Sequence, residues 1–110
     1  MTLAAGLPLV FLLTGCATKT EHRTIAATVD AGTSGYFPAQ ITVQKEDRIV
    51  LRVGNGTSQT HGFSIEGYKI QRTVDPNQTL ELRFRAGRGG AFKIYCQLHE
   101  SHLPATLVVE

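Results

Sequence analysis

Residues 90–102 read GAFKIYCQLHESH, and the pattern changes halfway along. Phe92, Ile94 and Cys96 alternate with Lys93 and Tyr95, the two-residue period of a strand with one face buried. That alternation sets Cys96 on the apolar face, at the end of the strand. Beyond it the period stops, and His99 and His102 follow at intervals of three residues. Taken alone, Cys96 reads equally well as a buried, inert thiol. Two imidazoles at short, regular spacing on the same loop turn the reading toward a ligand cluster. A transition metal needs several lone pairs converging from different directions, and three donors from one loop arrive from one side. A fourth donor from a distant strand would close the site. His61 is the candidate: it follows the polar loop 55–60 and opens the segment HGFSI, where Gly62 leaves room for a close approach.

The two-residue period runs through most of the chain. Ile25, Ala27 and Val29 show it, as do Ile41 and Val43, Ile49 to Val53 through Leu51, Phe63 and Ile65, Leu80 to Phe84 through Leu82, and Leu107 and Val109. With the strand ending at Cys96 these predict about seven short strands separated by turn signals, the pattern of a β-sandwich or small barrel. No window carries a helical stripe. Gly54, Gly56, Gly87, Gly89 and Gly90 are expected where the backbone reverses. A length of 110 residues suits one compact domain. The apolar fraction of 42% and charged fraction of 18% are those of a globular chain. A net charge of +2 lacks the electrostatic footprint of a nucleic-acid binder. Arg72, Arg83, Arg85 and Arg88 gather in one segment, to be read as a solvated strand face or as a docking surface for an acidic partner.

The N-terminus reads as an address. Residues 3–13, LAAGLPLVFLL, are continuously apolar but too short for a stable transmembrane helix. They look like the core of a secretory signal, without the usual positive segment ahead of it. The run ends in Leu13-Thr14-Gly15-Cys16, which resembles a bacterial lipobox whose cysteine takes a lipid. The expected division is a lipoprotein signal peptide at 1–15, a lipidated Cys16 with a polar tether to 23, and one domain at 24–110. His22 falls in the tether and reads as a solvated residue. A lipidated Cys16 cannot pair with Cys96, which would be a lone thiol in an oxidising compartment unless a metal protected it.

Several segments together resemble the cupredoxins, a copper-binding β-sandwich family, over residues 36–110. Phe37-Pro38, the strand Ile41-Thr42-Val43 and the turn Glu46-Asp47-Arg48-Ile49 are similar to the family's early strand and turn. His61-Gly62-Phe63 resembles the segment that supplies an upstream histidine. Val74-Asp75-Pro76-Asn77 is similar to its Pro-Gly turn, with Asn77 where glycine is usual. Gly90 to Cys96 matches the strand that delivers a thiolate, 35 positions after His61.

The resemblance implies an all-β, cupredoxin-like Greek-key sandwich of seven to eight strands. It implies one copper ion held by His61, Cys96 and His99, with His102 where a short loop of this type carries an axial methionine. The only methionine is Met1. Imidazole in place of a thioether favours Cu(II), so a lower potential and a more tetragonal site are expected. The alternative is a solvent-exposed His102 with water as fourth ligand, Glu66 and Glu100 being surface carboxylates or oxygen donors. A dinuclear site of the oxidase type needs a second cysteine where Glu100 stands. Zinc also fits one cysteine and three histidines. The implied role is a lipid-anchored electron carrier in the bacterial cell envelope, serving redox partners such as a cytochrome or an oxidase. Electrons would leave through His99, ringed by Leu98, Leu103 and Pro104. Copper delivery or resistance is the second reading, and a small copper enzyme with an open position the third. No nucleophile–base pair or phosphate loop suggests any other catalyst, so a non-enzyme is expected.

Overall fold

The computed structural model describes residues 22–110, and the expectations for residues 1–15 and Cys16 lie outside them. Nine strands and no helix are present among the described residues. They are β1 (Thr24–Ala31), β2 (Tyr36–Phe37), β3 (Gln40–Val43), β4 (Arg48–Asn55), β5 (His61–Ile65), β6 (Ile70–Val74), β7 (Gln78–Arg85), β8 (Gly90–Tyr95) and β9 (Ala105–Val109). The five-stranded sheet runs β3-β9-β8-β5-β6 and the four-stranded sheet β2-β1-β4-β7.

The alternation read in the sequence is what makes two sheets face each other. In β4, Ile49, Leu51 and Val53 are buried while Arg48 and Arg52 are exposed. Phe84, Leu82 and Leu80 stand opposite them across the antiparallel β4–β7 pair. From the five-stranded sheet, Phe63, Ile65, Ile94 and Leu107 close the core. Each such side chain contributes about 1.5–3 kcal/mol through burial. Beyond the seven predicted strands, β2 and β6 are new. β2 has only two residues, and β6 is an edge strand with an exposed centre, so neither shows an alternation to read.

Turn chemistry differs from expectation in detail. Gly54 lies inside β4, and of the five glycines expected at reversals only Gly90 has a positive φ, of 133°. Gly67 has one too, and Glu46, Lys69 and Asn77 carry the remainder. At 62°, Asn77 adopts the left-handed conformation that a Pro-Gly turn would give its glycine, which asparagine tolerates better than most residues. The four arginines are exposed, Arg83 and Arg85 on the same face of β7. Arg83 pairs with Glu81, Arg85 with Glu46, and Arg88 reaches the Gly67 carbonyl, while Arg72 is exposed on β6.

Asp47 ties the first residues of the domain to the β3–β4 turn. Arg23 donates to it at 3.0 and 2.7 Å, and the Gln44 N–H donates at 2.8 Å. The Arg23 hydrogen bonds, joined by that of Gln44 and opposed by burial, hold the Asp47 carboxyl below the usual carboxylate range. A depressed pKa means stability that is fully present above about pH 4 and lost as pH falls toward the folded-state value. The melting temperature of the protein should therefore fall more steeply below about pH 4 than that of Asp47→Asn, followed by circular dichroism. Parallel curves would show that Asp47 contributes no such dependence.

Candidate metal centre

Three of the predicted donors converge. His61 opens β5 and is 1% exposed, and Cys96 follows β8 at 6%. His99, half-buried, stands on the loop after it. The ligand atoms of these three all lie within 4.8 Å of one another. Cys96 Sγ is 3.5 Å from His99 Nδ1, and the His61 and His99 rings are 5.2 Å apart. The alternation of β8 turns Cys96 inward, and that of β5 turns His61 the same way as Phe63 and Ile65.

His102 lies outside that trio but borders it, its ring 4.8 Å from that of His61 and 4.6 Å from that of Tyr36. At 5% exposure it is not a solvent-exposed loop residue. Its Nε2 is 2.7 Å from the Gly32 carbonyl oxygen. A carbonyl only accepts, so Nε2 carries the proton and Nδ1 the free lone pair. Glu66 and Glu100 are exposed and belong to no such cluster.

The residues present fit a metal. Among the described residues, both ring nitrogens of His61 and Nδ1 of His102 are buried without a hydrogen-bond partner. Each orphan of this kind costs about 1–3 kcal/mol unless something occupies it. One thiolate with imidazoles is a donor set for copper or zinc. Burial, and then coulombic repulsion from the neighbouring His102 and His99, push the His61 pKa down, which favours its neutral imidazole, the form that ligates.

Neighbouring groups fix these donors. The Gly62 N–H donates to Cys96 Sγ at 3.1 Å, and the Tyr36 hydroxyl donates to the Gly62 carbonyl at 2.6 Å. Burial, and then the adjacent Cys96, push the Tyr36 phenol far above its ordinary pKa, so it keeps that proton. Asn55 shapes the loop before His61. Its Nδ2 donates to the Gln59 and Val74 carbonyls at 2.7 and 2.9 Å, and its Oδ1 accepts from the Thr57 N–H and hydroxyl. The ligand loop is stitched to the β1–β2 turn by the Leu103 N–H, which donates to the Ser34 carbonyl at 2.8 Å. Sequence reasoning missed Tyr36, Asn55 and Gln97. Asn55 reads only as a turn residue between two glycines, and nothing local to Tyr36 or Gln97 reveals a partner 26 or 25 residues away.

At the surface, Leu98 and Leu103 are 47% and 63% exposed near His99, and Phe37 is 76% exposed. A pocket of about 470 Å³ opens beside the loop, lined by Lys93, Tyr95, Gln97 and Glu100 and reaching Cys96 and His99.

The cupredoxin-like domain family model matches residues 3–109. Cytochrome c oxidase subunit 2 of Thermus thermophilus is 31% identical over 80 residues, which are 69% of this chain and 58% of that protein. The chain spans about half the length of the curated relatives it matches. In fold, it is similar to the metal-binding domain of the Streptococcus pneumoniae Cu(I)-exporting P-type ATPase CopA. The TM-score is 0.71 at 18% identity, covering 82% of this chain and 89% of that one. It is also similar to auracyanin A, a blue copper protein of Chloroflexus aurantiacus. There the TM-score is 0.68 at 16% identity, with 79% and 99% covered.

Proposed function

The chain belongs to the cupredoxin-like domain family, and we propose that it is a mononuclear copper protein carrying single electrons between redox partners in the bacterial cell envelope. The observation that carries this reading is the convergence of His61, Cys96 and His99 within 4.8 Å, in a site where both ring nitrogens of His61 are buried without a hydrogen-bond partner. In this proposal His61, Cys96 and His99 hold the ion and His102 faces it through Nδ1. Copper, when bound, supplies a one-electron couple between Cu(II) and Cu(I).

The protein's own groups keep the donors nearly fixed in both states. Neighbouring strands of the five-stranded sheet, β5 and β8, hold His61 and Cys96, Gly62 donates to the sulfur, and Gly32 keeps the His102 proton on Nε2. His99 is the exit for the electron, with exposed Leu98 and Leu103 as the apolar surface a partner meets. Likeness to cytochrome c oxidase subunit 2 supports an oxidase or a cytochrome as that partner. Glu100, where a dinuclear site would need a second cysteine, supports a single ion. A lipid on Cys16 would hold the carrier close to such membrane partners.

Loading the full chain with Cu(II) tests the reading. One copper per chain, an intense visible thiolate charge-transfer band and reversible one-electron reduction are expected. A colourless protein that holds zinc tightly and rejects copper would overturn it. The pocket beside His99 favours a second reading, a small copper enzyme with an open position. A shift of the band on adding azide would support that enzyme over the carrier.

A further inference from the structure

Gly62 and Ser64 face away from the core, on the outer side of the five-stranded sheet, since Phe63 and Ile65 take the inner side. Ser64 pairs with Tyr95, and continuing that antiparallel register by two sets Gln97 opposite Gly62. The Gln97 side chain is pinned at both ends. The Ser64 hydroxyl donates to its Oε1 at 2.7 Å, and its Nε2 donates to the Arg72 carbonyl at 2.8 Å. It therefore lies across β5 and reaches β6, directly over the bare Cα of Gly62. A Cβ on Gly62 would stand 2.1 Å from Gln97 Oε1, 2.5 Å from its Cδ and 2.9 Å from its backbone nitrogen. No side chain fits between them.

We propose that Gln97 is a positioning residue for the Cys96 sulfur. Its amide clips the start of the ligand loop to β5 and β6, and so sets how closely the Gly62 N–H meets Cys96 Sγ, 3.1 Å away. A hydrogen bond from an amide withdraws electron density from a thiolate sulfur, so the clip tunes the bond that sulfur makes. The glycine at 62 and the glutamine at 97 are then one device, because the clip closes only over a residue without a side chain. This deepens the electron-carrier reading and rests on it for its effect on a metal, whereas the clip itself belongs to the protein alone.

Amide hydrogen exchange in the full chain tests the clip, with and without Cu(I). In Gln97→Ala the Gly62 amide should exchange roughly 2- to 10-fold faster, the range for a lost ordinary hydrogen bond, while the Leu51 amide in the other sheet keeps its rate. Gly62→Ala should displace Gln97 and shift the Cu(II) charge-transfer band in the same direction as Gln97→Ala. The double variant should add little to either single change. Ser64→Ala removes one pin only and gives a smaller shift of the same sign, should the other variants fold poorly. The proposal is overturned if Gln97→Ala speeds Gly62 and Leu51 equally, or leaves the Gly62 rate unchanged. Failure to take up copper would sink the carrier reading, while the exchange ratio in the metal-free chain would still decide the clip.

Discussion

Replacing Cys96 by serine should abolish the visible charge-transfer band of the copper-loaded protein and weaken copper binding by more than about 100-fold, the upper range for loss of an outer-shell partner alone. The colour of such a site comes from a deprotonated sulfur sharing electron density with Cu(II). A serine hydroxyl keeps its proton at neutral pH and is a hard, weak donor. The substitution is nearly isosteric at a position 6% exposed, and the Gly62 N–H retains an oxygen to donate to, so the variant should fold. Titrating both proteins with Cu(II) under a competing chelator, with absorbance read alongside, gives affinity and colour together. If Cys96→Ser bound copper with unchanged strength and colour, the sulfur would not be a ligand and the whole assignment would fall. His61→Ala, by comparison, would leave the thiolate in place.

What is legible in the sequence depends on the range of the interaction. The strand ending at Cys96 was legible because alternation is local, and the same rule drew β1, β4 and β7 correctly. β6 was not legible, because an edge strand exposed through Gln71, Arg72 and Thr73 has no buried face to betray it. In the site, three donors on one loop and a fourth after a polar turn could be read from residue type and spacing. The convergence of His61 with Cys96 and His99 depends on β5 lying beside β8, which only the sheet order provides. The groups that hold the donors were invisible for the same reason. Tyr36 reaches Gly62, and Gln97 reaches Ser64 and Arg72, through contacts between strands distant in sequence. In the sequence, glycine at 62 reads as permission for a close approach. The approaching group is the Gln97 amide.

His102→Met is the variant that decides whether the fourth imidazole acts on copper. His102 Nδ1 is buried without a partner, while Nε2 is spoken for by the Gly32 carbonyl. This is the arrangement by which an outer acceptor fixes a ligand tautomer. A spectator histidine would have no reason to keep a bare lone pair in a chamber shared with His61 and Tyr36. If Nδ1 meets the ion, thioether in its place should raise the reduction potential, because sulfur favours Cu(I) and imidazole favours Cu(II). For a one-electron couple each tenfold change in relative affinity for the two states is about 59 mV, so a difference of roughly 100-fold gives a rise of about 120 mV. The charge-transfer band should move toward that of a trigonal blue site, and the copper hyperfine splitting should narrow. Stability should fall in either case, since the Gly32 carbonyl loses its donor at a cost of about 1–3 kcal/mol. Thermal melting therefore cannot separate ligand from spectator, but the potential can. A His102→Met protein that melts earlier yet keeps the parent's potential and spectrum would leave copper with His61, Cys96 and His99 alone.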